Sequence, residues 1–85
     1  MADATADRAE LLRAERDLLL KADSDIEQGR QRLRNQENLL IELEAGGHDT
    51  KQAERLVEVM RTTLTEWERH RVLIGERVAY LEKVV

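Results

Sequence analysis

Apolar residues recur along this chain in alternating steps of four and three. In the first half the series runs Leu12, Leu19, Ala22, Ile26, Leu33, Leu40 and Leu43, with Glu15, Gly29 and Gln36 filling the remaining steps. Its phase never slips. In the second half it runs Ala53, Val57, Met60, Leu64, Trp67, Ile74, Val78, Leu81 and Val85, and only Arg71 dissents. A repeat of this kind keeps one stripe of an α-helix apolar, whereas the two-residue alternation of a strand is absent. Two long helices are predicted.

Between the stripes stands Gly46-Gly47-His48-Asp49. A glycine here supplies the positive φ that ends a helix at low steric cost. Asp49 and Gln52 have the spacing of a capping box that would open the next helix. Helix one is expected over about 7–45, capped by Asp7 with Glu10 or by Thr5, the turn at 46–49, and helix two over about 50–84. Residues 1–6 are small and polar and are expected to form a flexible lead. Ala22-Asp23-Ser24-Asp25 contains side chains that compete with the helix backbone. The stripe continues across it in phase, so a continuous or kinked helix is expected rather than a break.

A connection this short makes an αα-hairpin, a single domain over 7–85 with antiparallel helices of about 60 and 52 Å. Facing seam residues should then carry numbers adding to about 93, which seats every a position against a d, as antiparallel knobs-into-holes packing requires. Leu40 faces Ala53, Gln36 faces Val57, Leu33 faces Met60, Gly29 faces Leu64 and Ile26 faces Trp67. Further along, Ala22 faces Arg71, Leu19 faces Ile74, Glu15 faces Val78 and Leu12 faces Leu81. The expected fold is therefore all-α, a helical hairpin or antiparallel coiled coil. Gly29, which costs a helix about 1 kcal/mol against alanine, is expected to make room for Trp67. Arg71 is expected to reach Asp23 or Asp25, or to extend to solvent, and Gln36 to form a polar layer.

Leu11, Leu18, Leu20, Val72, Leu73, Ala79, Tyr80 and Val84 are apolar but lie off the seam, toward the open end. One hairpin cannot bury them, and bare apolar patches mark interfaces. Pairing of two hairpins into a dimeric four-helix bundle is the expected solution. Composition points the same way. Only 2% of residues are aromatic and there is no cysteine, so neither a large core nor a disulfide stabilises these 85 residues.

With 38% charged residues and a net charge of -4, the chain is not the basic domain a general nucleic-acid binder needs. It has no apolar run long enough to span a bilayer and no signal-peptide pattern, so a cytoplasmic location is expected. Glu66 and His70 share a helix face, but two ligands fall short of a structural zinc set. Ser24 has no histidine near it in the chain, and the glycine pair lacks the lysine and spacing of a phosphate loop. Arg30, Arg32 and Arg34 alternate around a helix instead of forming one stripe. No catalytic site and no cofactor are expected. The reading is a non-enzymatic structural or adaptor protein that acts on an unidentified protein partner. A nucleic-acid-associated regulator using the three arginines is one alternative; another is a metal-dependent sensor joining Glu66 and His70 across a dimer. His48 has no evident task.

Ile26, Gly29, Leu33, Gln36, Leu40, Leu43 and Glu44, then Gly47-His48-Asp49-Thr50, Ala53, Leu56, Leu64, His70 and Arg71 carry a resemblance. Over Ile26 to Ile74 the chain resembles short helical-hairpin proteins of rhizobium-like alphaproteobacteria, a group without an established activity. The resemblance implies a bacterial, cytoplasmic protein with a shared hairpin, and no catalytic role.

Overall fold

The computed structural model describes residues 4–85, with side chains from residue 6 onward. Two helices, α1 (Ala4–Ala45) and α2 (Lys51–Val84), run antiparallel as a hairpin. Among the described residues there is no strand. Leucine, glutamate and arginine are frequent in both helices, and no proline interrupts them. Ala22 to Asp25 stay within α1, and their polar side chains bond to other side chains, Asp23 across the hairpin and Ser24 and Asp25 one turn away. Lys21 Nζ donates to Asp25 Oδ2 at 2.8 Å and Gln28 Nε2 to Ser24 Oγ at 3.3 Å, exposed i,i+4 contacts that follow the helix rather than break it.

At both helix starts the capping chemistry differs from the expectation. α1 already includes Ala4 to Ala6, so Asp7 lies inside the first turn, where a carboxylate favours the positive end of the helix without capping it. Residues 1–3 of the expected lead lie outside the described residues. At α2, Thr50 is the N-cap residue and its side chain makes no capping bond. Asp49 Oδ1 instead accepts the Lys51 backbone N–H at 3.1 Å, and Thr50 Oγ1 donates to Glu54 Oε1 at 3.2 Å. The expected Asp49–Gln52 box is thus replaced by an aspartate turn two residues long.

The end of α1 is a Schellman motif. The His48 N–H bonds to the Leu43 carbonyl at 3.0 Å and the Gly47 N–H to the Glu44 carbonyl at 3.2 Å. Gly47 carries the positive φ of 71° that this motif demands, while Gly46 does not. His48 thereby acquires a place: its backbone closes the motif and its imidazole lies over Gly46. A Cβ on Gly46 would stand 2.8 Å from His48 Cδ2.

Every buried residue lies on the expected seam. Leu12, Ile26, Val57, Leu64, Ile74, Val78 and Leu81 form the core, joined by buried Gly29. Four of them cluster at the open end, where Leu19, Ala22 and Val84 pack against them. Gly29 accommodates two side chains. An added Cβ would meet Leu64 Cδ2 at 2.8 Å and the Trp67 ring at 3.1 Å, so the closer constraint comes from the directly facing leucine. Trp67 itself is only partly covered, at 39% exposure. The molecule is a rod of 68 × 19 × 14 Å with a radius of gyration of 19.3 Å, against about 12 Å for a compact chain of this length.

Candidate functional site

Beside the seam, each helix contributes one flanking row to each long edge of the hairpin, and the two edges differ in chemistry. On one edge stand Arg16, Asp23, Arg30 and Glu37 of α1, and Arg61, Glu68, Gly75 and Glu82 of α2. Three cross-helix ion pairs close it: Arg16–Glu82 at 3.3 Å, Arg30–Glu68 at 3.2 Å and Glu37–Arg61 at 2.8 Å. From Arg16 to Arg30 α1 advances by the same number of residues that α2 retreats from Glu82 to Glu68. The pairs therefore share one register, the one the seam expects.

The fourth step of this edge shows why Arg71 occupies a seam position. Asp23 faces Gly75, which has no side chain to offer it. Arg71, one turn before Gly75, lies across that gap, and its Nε donates to Asp23 Oδ1 at 2.6 Å. A Cβ on Gly75 would sit 3.7 Å from Arg71 Nη1, an ordinary contact. The guanidinium bond holds the Asp23 carboxyl below its usual range, opposed by partial desolvation, and Asp23 in turn raises Arg71. Arg71 thus takes the first of its expected partners. The other seam charge, Glu15, accepts Arg77 Nε at 3.0 Å.

The opposite edge is open. Its α1 row is Leu11, Leu18, Asp25, Arg32 and Leu39, and its α2 row is Leu56, Thr63, His70, Arg77 and Val84, with Val59, Glu66, Leu73 and Tyr80 just outside it. Leu11, Leu18, Leu39, Leu56, Val59, Leu73 and Tyr80 are all 44% or more exposed. Two hollows lie along this edge on either side of Trp67. One, of about 150 Å³, is bounded by Ala22, Asp25, Trp67 and His70. The other, of about 170 Å³, lies among Gly29, Arg32, Met60, Thr63, Leu64 and Trp67. Both are shallow and open to solvent.

The eight off-seam apolar residues expected to form one interface are divided by this geometry. Leu11, Leu18, Leu73, Tyr80 and Val84 belong to the open edge. Leu20, Val72 and Ala79 are positioned on the flanks of the ion-paired edge. Leu39, Leu56 and Val59 extend the open edge toward the turn and were not part of the expectation, although the seven-residue step from Leu11 and Leu18 leads to Leu39.

The remaining candidates are dispersed. Glu66 pairs with Arg69 at 3.2 Å, while His70 lines the first hollow. Among the described residues no three His, Asp or Glu side chains are grouped to hold a metal ion. Arg30 is held by Glu68, and Arg34 lies 4.0 Å from Glu27 and bonds to Gln31. Arg32 alone of the three has no ion pair among the described residues. Among the described residues no helix is long and apolar enough to cross a membrane.

Fold and edges together define an antiparallel helical hairpin with one edge crossed by three ion pairs and the other exposing apolar residues toward both ends of a polar middle. No protein-family model, curated protein or solved structure matches the chain.

Proposed function

We propose that this chain is a non-enzymatic structural or adaptor protein of the cytoplasm, working through protein–protein contact as a homodimer with a coiled-coil seam. The asymmetry of the two edges carries this reading. Hydrogen-bonded charges cross one edge, with Leu20, Ile41 and Val72 exposed on its flanks, whereas the other exposes seven large apolar side chains along most of a 68 Å rod. Accessible area supports it too: the chain exposes 6512 Å², about 1,300 Å² more than a compact monomer of 9.9 kDa would. Part of that excess follows from elongation, and its size is comparable to the ~800 Å² each partner contributes to a standard interface. The hollows beside Trp67 are too open to exclude water from a reaction.

Light scattering on the purified chain, combined with a DNA mobility-shift assay at low salt, tests this function. The expected result is a dimer that leaves DNA unshifted. A monomer that retards DNA, with retention lost as salt is raised, would replace this reading with the nucleic-acid alternative.

A further inference from the structure

We infer that the open edge is covered by a second copy of this chain lying antiparallel on it, turns at opposite ends, with the two-fold axis passing α1 midway between Gln28 and Gly29. This rests on the self-association proposed above and adds its face, direction and register.

An isologous interface must be complementary to itself, and the open edge is so in one register. With the axis between Gln28 and Gly29, Leu18 meets Leu39 of the other copy and Asp25 meets Arg32, each contact occurring twice. The hairpin register then carries the axis past α2 just beyond Leu64. There Leu56 meets Leu73, again twice, and Val59 meets His70. A shift of the second copy by one heptad in either direction is unfavourable: one places Asp25 on Asp25, the other Arg32 on Arg32. The arrangement with both turns at the same end stacks α1 on α2 and, in the hairpin's own register, brings Asp25 level between Glu66 and His70, so the Asp25–Arg32 pairs are not made. Like charges facing each other across an interface are strongly disfavoured.

The local structure leaves these charges available. Arg32 has no ion pair among the described residues. Asp25 is bound only to Lys21, an exposed i,i+4 contact whose carboxylate has a second oxygen to offer. The same register lays Leu11 and Tyr80 of each copy over the Gly46–Asp49 turn of the other, which covers the apolar residues farthest from the axis. The outline of this side of the rod, 68 Å by 19 Å, is large enough to hold an interface of the ~800 Å² per partner that stable dimers bury.

The absence of cysteine permits a direct test on the full chain. After sedimentation has established the mass, Gln28→Cys and Glu42→Cys are each treated with a short bismaleimide. Gln28 lies at the axis, so Gln28→Cys is expected to link to its own copy, while Glu42→Cys, about 40 Å from its counterpart along the rod, does not. Asp25→Arg is expected to weaken the dimer roughly tenfold or more, and Asp25→Arg with Arg32→Asp to restore it. A dimer in which Gln28→Cys stays unlinked, Glu42→Cys links, or the double reversal fails to restore association overturns this arrangement and leaves self-association standing. A monomer at high micromolar concentration overturns both.

Discussion

Two glycines of one hairpin answer opposite needs. At Gly29 a methyl group would stand 2.8 Å from Leu64 Cδ2 and 3.1 Å from the Trp67 ring, so both side chains must shift toward the hollow beside them. Overpacking of that kind costs about 1–3 kcal/mol, which outweighs the ~1 kcal/mol that alanine gains in helix propensity. At Gly75 the nearest atom is 3.7 Å away and solvent is close. Thermal melts should therefore show Gly29→Ala lowering Tm and Gly75→Ala raising it by a few degrees, about 0.5–1 kcal/mol. Gly47→Ala should cost about 1–2 kcal/mol, because its φ of 71° disfavours any side chain. Asp23 makes the acid limit legible. Its carboxyl is depressed by the Arg71 bond, so the stabilisation is present above the unfolded aspartate value near 4. It is lost as pH falls through the lower folded value. Melts recorded across that acid range should show a shallower loss for Asp23→Asn than for the parent chain.

At the scale of the helices, the seam was readable because burial on one stripe forces a 4-3 rhythm, and every buried residue falls on it. The capping chemistry was less so. Asp49 and Gln52 have the spacing of a box, yet the Asx turn at Lys51 satisfies the free N–H first. The ion-paired edge was not anticipated, although the register that sets Leu12 against Leu81 also brings Arg16 beside Glu82. What hides such pairs is that charge rows lack the periodic signature of burial, and glycine at Gly75 breaks the row where Arg71 substitutes. Pairs this exposed contribute about 0.2–1 kcal/mol each. Glu68→Arg, which sets two arginines opposite one another, should lower stability by about that amount in denaturant titration, and adding Arg30→Glu should recover it.

The whole molecule is defined by what its edges leave undone. Composition, with few aromatics and no disulfide, leads to the expectation of a partner, and two helices alone give a core one side chain deep. The sequence places Leu18 and Leu20 side by side among the apolar residues of the open end, but the hairpin sends them to different edges. Nothing in a linear pattern distinguishes them until the register of the partner helix is known. Their separation makes the most direct test of the account. Sedimentation equilibrium, from low to high micromolar, should give twice the 9.9 kDa chain mass for the parent protein and for Leu20→Glu, and the single-chain mass for Leu18→Glu. A parent chain that remains at 9.9 kDa throughout, or a dimer lost to Leu20→Glu and kept by Leu18→Glu, would contradict it.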